Sequence, residues 1–223
     1  FGSTTSMLLT TGELHLLDGF TPGASILEGT YRLGAATSSG GRFVGWIKEL
    51  LHSEIGGDRD EGPTGIIILP YIDGARAPYD NPSARGVIFG LQKTDDRNKL
   101  FKASLESLGY EIDLLLRRLK TVSHVPNKIH VLGGMTASRL LLQIVANITG
   151  RELYVYRDID ASYGDAIMAM TAYHAYSDIT ELDSIKEQRN NSTKIVPDQE
   201  LHSKYRVLSQ KYEALYSSIK DIF

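Results

Sequence analysis

The chain has 223 residues, 42% of them hydrophobic and 23% charged, with a formal net charge of −3. That supplies a substantial core and gives no electrostatic case for nucleic acid or an anionic membrane surface. Cysteine is absent, which removes disulfides and thiolate chemistry and suits a cytoplasmic setting.

Phe1-Gly2-Ser3 runs straight into strand-like sequence with no leader, and reads as the start of a piece cut from a longer protein. Residues 5–34 read as short strands: Met7-Leu8-Leu9, Leu14-His15-Leu16-Leu17, and a third from Ser25 to Tyr31 after a break at Pro22-Gly23. Gly40-Gly41 opens a helix carrying Phe43, Val44, Trp46, Ile47, Leu50 and Leu51. Asp58-Arg59-Asp60-Glu61-Gly62-Pro63 is polar and reads as a surface loop. Ile66-Ile67-Ile68-Leu69 is the longest apolar run, too short for a bilayer and suited to a strand buried on both faces.

Residues 70–85 form a long irregular segment rich in Gly, Pro, Asp and Asn, and residues 86–91 return to a strand or extended turn. Residues 95–122 predict the clearest helix, with Leu100, Leu105, Leu108, Ile112, Leu115, Leu116 and Leu119 at three- and four-residue steps. Its basic group Arg117-Arg118-Lys120 reads as a solvated face. Lys128 to Leu132 is a short strand that meets Gly133-Gly134 and turns directly into a helix bearing Leu140, Leu141, Ile144, Val145 and Ile148. Glycine there lets another group approach the backbone, and a helix N-terminus offers free N–H groups. By itself such a turn reads first as simple tight packing. Gly150 caps that helix, residues 152–156 form a strand, residues 162–176 a small-residue helix, and residues 178–197 a polar, loop-rich stretch. A last amphipathic helix starts near Asp198, with Leu201, Tyr205, Leu208, Tyr212, Leu215 and Ile219 on one side. Early strands followed by alternating helix and strand give an α/β layered domain. The six histidines are scattered without metal-ligand spacing.

Four segments line up in order. They are Phe1-Gly2-Ser3-Thr4-Thr5-Ser6; Ala35-Ala36-Thr37-Ser38-Ser39-Gly40-Gly41; Pro70-Tyr71-Ile72-Asp73-Gly74-Ala75-Arg76-Ala77-Pro78 with Asn81-Pro82-Ser83-Ala84-Arg85-Gly86; and Leu132-Gly133-Gly134-Met135-Thr136-Ala137-Ser138 with Ser162-Tyr163-Gly164-Asp165-Ala166. Together they resemble the C-terminal domain of the FGGY carbohydrate kinases, the family of xylulokinase, gluconokinase and glycerol kinase. The resemblance spans nearly the whole chain. It departs at Lys99, where the family signature carries an acid, amide or histidine, and at Asp165, where alanine is usual.

The resemblance implies a ribonuclease-H-like domain of the actin–Hsp70–sugar-kinase class: a mixed sheet flanked by helices, residues 1–223 forming a single nucleotide-binding unit. ATP with Mg²⁺ is the implied cofactor. Gly2, Ser3, Thr4, Gly40 and Gly41 would face the phosphates; Gly133, Gly134 and Ser138 would lie around the adenosine. Ser6 falls where the family touches the sugar. The implied partners are a small sugar, sugar acid or polyol and the N-terminal domain, with neither nucleic acid nor membrane, and a homodimer is left open. No catalytic residue is expected in this chain, because the family's aspartate base lies upstream of the position of Phe1. Asp73, Arg76 and Arg85 are expected to pin their loop through hydrogen bonds and ion pairs. Two further readings stay open: a non-catalytic nucleotide-dependent switch on the same fold, and an α/β domain without a nucleotide site.

Overall fold

The computed structural model describes residues 1–53, 60–157, 159, 161–173 and 191–223. Strands β1 (Ser6–Thr11), β2 (Thr21–Ala24) and β3 (Tyr31–Ala36) form an antiparallel sheet in the order β1-β3-β2. Two sequence expectations give way here. Residues 14–17 form no strand, and the third strand begins only at Tyr31, after a turn closed by the Thr30 hydroxyl donating to the Leu27 carbonyl at 2.7 Å. Pro22-Gly23 lies inside β2 and does not break it, with Pro22 opposite Leu33. An edge strand tolerates proline because its missing N–H leaves no ladder partner unpaired.

Helix α1 (Gly41–Leu51) follows, then β4 (Ile67–Leu69) and β5 (Val87–Phe89), an antiparallel pair. Asp96 starts α2 (Arg97–Leu119), its carboxylate accepting the Lys99 N–H at 2.8 Å. Strand β6 (Lys128–Leu132) leads through a 3₁₀ turn (Gly134–Ala137) to α3 (Arg139–Thr149). The predicted direct entry into the helix is therefore interrupted, and Ser138 caps α3 by accepting the Leu141 N–H. Gly150 ends α3 in the left-handed conformation, as its position suggested. Strand β7 (Glu152–Tyr156) pairs parallel with β6, and α4 (Ala161–Ala172) follows. Residues 174–190, with the end of the predicted small-residue helix, lie outside the described residues. In the stretch read as loop, Thr193–Ile195 forms β8, antiparallel to β7. Asp198 caps the last helix, α5 (Gln199–Ile219).

Helix α2 organises the core. Leu115 and Leu119 close one apolar cluster under the first sheet with Leu9, Phe20, Leu33 and Ala35. The rest of α2 packs among α1, α3, α5 and β4 in the main cluster. Burying one such leucine is worth about 1.5–3 kcal/mol, so the two clusters outweigh any local helix preference. Because α2 is enclosed on most sides, polar residues that its sequence pattern puts outside are buried too: Ser104, Glu106, Ser107 and Glu111.

Glu106 joins a buried network. Its carboxylate accepts the Thr64 N–H and hydroxyl at 2.9 and 2.8 Å. Asp60 accepts from the Asn147 amide at 2.8 Å and the Tyr205 hydroxyl at 2.9 Å, with the Lys102 ammonium 2.9 Å away. Asn147 also accepts the Asp198 N–H at 2.8 Å, which ties α3 to the start of α5. Burial would raise the Asp60 pKa, but its hydrogen bonds and the Lys102 charge hold it below the ordinary value. The predicted surface reading of residue 60 is thus corrected: Asp60 is buried. Arg117 likewise does more than solvate, bridging Asp113 at 3.0 Å and Glu213 of α5 at 2.6 Å.

Candidate nucleotide site

Three turns from distant parts of the sequence meet at one place. The Gly41 N–H donates to the Gly2 carbonyl at 2.8 Å, and the Arg42 N–H to the Ser3 carbonyl at 3.2 Å. The fit is so close that a Cβ on Gly40 would lie 2.7 Å from the Thr4 backbone. Only glycine fits that approach. The third turn comes in beside them: the Met135 side chain lies 3.5 Å from where a Gly41 Cβ would stand, and the Met135 N–H donates to the Phe1 carbonyl at 3.3 Å.

The two glycines of the third turn differ. Gly133 has φ +106° and packs on Phe1, whose carbonyl oxygen would be 2.5 Å from an added Cβ. Gly134 faces open space, with nothing within 4 Å of the corresponding position. One expectation changes. The helix-start N–H groups of Gly41 and Arg42 are already used by the Gly2–Ser3 carbonyls, so they are not free for an anion. The available donors lie in the partner turn, where the backbone N–H groups and hydroxyls of Ser3 and Thr4 have no acceptor among the described residues. Adjacent free N–H groups of this kind form an anion-binding concavity. The Ser138 hydroxyl accepts from Leu141 as a cap, and its own hydrogen has no acceptor among those residues.

Residues 70–85 brace this site. The Ser39 hydroxyl donates to the Pro70 carbonyl at 3.2 Å, the Arg76 N–H to the Ser38 hydroxyl at 3.0 Å, and the Ala77 N–H to the Ala36 carbonyl at 3.2 Å. Asp73 pairs with Arg42. Arg85 donates to the Pro82 and Ala84 carbonyls at 3.1 and 2.8 Å, the pinning role expected of it. The Arg76 guanidinium, in contrast, makes no described bond; it lines a cavity of about 660 Å³ together with Ser6, Gly34, Ala36 and Asp80. Ser6 is thus separated from the phosphate-side turn by Thr5 alone and opens onto this hollow.

Beneath the Gly40–Gly41 turn sits Glu111, fully buried against the Thr37 and Ser39 hydroxyls. Those hydroxyls favour the ionised carboxyl, and burial outweighs them. Burial accordingly pushes the Glu111 pKa up to about 8, and the group is protonated at neutral pH. Sequence periodicity did not point to Glu111; only its place on a helix buried all round could have done so.

The sequence profile for the C-terminal domain of the FGGY family of carbohydrate kinases matches residues 2–173, a stretch that contains all three turns. The chain belongs to this family. Among curated relatives, xylulose kinase of Escherichia coli (strain K12) is 29% identical over 163 residues, covering 72% of this chain and 33% of that protein. Glycerol kinase of Shewanella sp. (strain MR-4) is 31% identical over 169 residues, covering 70% and 33%. The FGGY domain also superposes on solved structures. A xylulose kinase from Brucella ovis gives a TM-score of 0.86 at 21% identity over 100% of this chain and 47% of that one. Plasmodium falciparum glycerol kinase with ADP gives 0.78 at 18% identity, over 96% and 45%. These likenesses establish the sugar-kinase fold for this FGGY domain, as its sequence implied. The chain spans about a third of those curated relatives' length.

All the phosphate-side and adenosine-side candidates, Gly2, Ser3, Thr4, Gly40, Gly41, Gly133, Gly134 and Ser138, fall on the converging turns. Gly40 and Gly133 serve packing between the turns, and Gly134, Ser3 and Thr4 present the accessible surface. The residues fit a nucleotide. They do not supply a Mg²⁺ ligand set: no group of three or more His, Asp or Glu side chains among the described residues could hold a metal, and Asp73 is engaged by Arg42. No described helix is long and apolar enough to cross a membrane.

Proposed function

We propose that residues 1–223 form the C-terminal, ATP-binding domain of a sugar kinase whose other domain lies outside this chain. The observation that carries the reading is the convergence of three turns, which leaves free amides at Ser3 and Thr4 beside an open Gly134. The Ser3 and Thr4 donors would hold the phosphates. Gly134 would let the adenosine lie against bare backbone, with the Ser138 hydroxyl within the same turn. The parent enzyme would transfer the ATP γ-phosphoryl group to a hydroxyl of a small sugar, sugar acid or polyol near Ser6.

In such a transfer the acceptor hydroxyl loses its proton to a general base, which the family resemblance puts upstream of Phe1. Glu106 and Glu111 are buried, and Asp73 is held by Arg42. The base, an aspartate, would come from the part before Phe1. Magnesium would enter with the nucleotide and find its remaining ligands there. Residues 1–223 alone should therefore bind nucleotide weakly and phosphorylate nothing, since half-open phosphates remain in water where charge contacts lose strength. Calorimetry with Mg-ATP, beside a coupled ADP-release assay on a panel of pentuloses, aldonates and polyols, tests this. Absence of nucleotide binding would refute the site, and sugar-dependent turnover by this chain would refute the location of the base.

A further inference from the structure

The family match ends at residue 173, yet α5, well beyond it, reaches the nucleotide site through a continuous set of contacts. Tyr205, Tyr212 and Tyr216 stand on the buried face of α5. Tyr212 and Tyr71 share a buried hydroxyl–hydroxyl bond of 3.0 Å. Tyr216 stacks on Tyr79 with ring centroids 3.6 Å apart and planes 15° from parallel, and it meets the Tyr71 ring edge-on at 5.7 Å. Tyr71 and Tyr79 lie near the two ends of the segment that carries Asp73, Arg76 and Ala77. That segment makes the contacts to Ser38, Ser39 and Arg42 described above, and Arg42 and Gly41 in turn hold the Ser3 and Gly2 carbonyls.

We propose that Tyr212 and Tyr216 are positioning residues for the phosphate side of the nucleotide site, acting through residues 70–85. The physical case is one of supply. Residues 70–85 form almost no regular structure of their own, so their shape depends on what they pack against. Aromatic stacking fixes two of their tyrosines on the rigid face of a 21-residue helix. The free Ser3 and Thr4 amides are useful only if their turn is already set when the nucleotide arrives, because disorder there would have to be removed on binding. The adenosine side does not depend on Tyr212 and Tyr216 in this way, since Gly133 and Met135 are held by Phe1 and α3 meets the start of α5 through Asn147.

The proposal rests on the nucleotide-binding reading, and its test separates the two. Equilibrium dialysis of residues 1–223 with labelled ADP and with labelled adenosine reads the phosphate side against the nucleoside side. Tyr216→Ala should weaken ADP about tenfold, the loss of one preorganising contact, and leave adenosine unchanged. Tyr216→Phe keeps the stacked ring and should match the wild type. Asp73→Asn, on the exposed Arg42 pair and harmless to the core, should weaken ADP in the same selective way, about threefold. Tyr205→Phe breaks a buried bond to Asp60 on the same helix, away from the loop, and should leave ADP affinity unchanged. Equal loss of ADP and adenosine in Tyr216→Ala, or no loss of either, overturns the positioning role. If Tyr216→Ala does not fold, unaltered ADP binding in Asp73→Asn overturns it. A wild-type chain that binds neither ligand removes the nucleotide reading itself, and this proposal with it.

Discussion

Adjacent glycines at the turn proposed to face the adenosine should respond in opposite ways to a side chain. Gly133 has φ +106° and would bring a Cβ within 2.5 Å of the Phe1 carbonyl oxygen. The left-handed backbone alone costs a non-glycine residue about 1–2 kcal/mol, and the clash adds to it. Gly133→Ala should therefore cost about 2–3 kcal/mol, which in a domain of this size lowers Tm by about 4–12 °C. Gly134 has nothing within 4 Å of the same position, so Gly134→Val should stay within about 0.5 kcal/mol of wild-type stability. Its isopropyl group, however, would occupy the space assigned to the nucleoside. The ATP dissociation constant should rise at least about tenfold, a loss of about 1.4 kcal/mol. Differential scanning calorimetry gives the first quantity and isothermal titration with Mg-ATP the second. A Gly134→Val protein that is folded and binds ATP as the wild type does would refute the assignment. One that unfolds earlier than Gly133→Ala would refute the packing argument.

Ser3→Ala should weaken nucleotide binding by about 0.5–1.5 kcal/mol, the worth of one hydrogen bond, while Ser3→Thr keeps the hydroxyl and should change little; identical titrations for the two variants would remove Ser3 from the site. Glu111 keeps its proton up to about 8 when folded, against 4.5 in an exposed glutamate, so folding takes up a proton between those values and stability falls as pH rises through the interval. Glu106 is raised to about 7, so Glu111 outlasts it. The urea midpoint of the wild type should drop between pH 7 and 8 more steeply than that of Glu111→Gln, and parallel curves would show that the carboxyl is already ionised. Asn147→Ala removes one of the buried donors to Asp60 and frees the Asp198 N–H; it should cost about 3 kcal/mol, and a urea midpoint near wild type would show that water replaces the amide.

What the sequence determined by itself was local. The periodicity of residues 95–122, the stop at Gly150, the helix start near Asp198 and the apolar run at residues 66–69 each specify an element through the backbone and side chains of a few neighbours. The glycine turns and the Pro/Gly/Arg segment were legible for the same reason, and they carried the family. Tertiary structure decided the rest. Leu14 to Leu17 have a strand-like pattern but form no strand, because pairing with another segment, and not composition, makes one; Pro22 sits in a strand because its strand happens to be an edge. Asp60 read as part of a surface loop and is buried against Asn147, Tyr205 and Lys102, and Glu106 and Glu111 are buried because α2 is enclosed by a sheet and three helices. The same reason separates Gly133 from Gly134. Both are glycines of the same turn, and only the contact of the first with Phe1, 132 residues earlier, makes it a packing residue while the second faces open space.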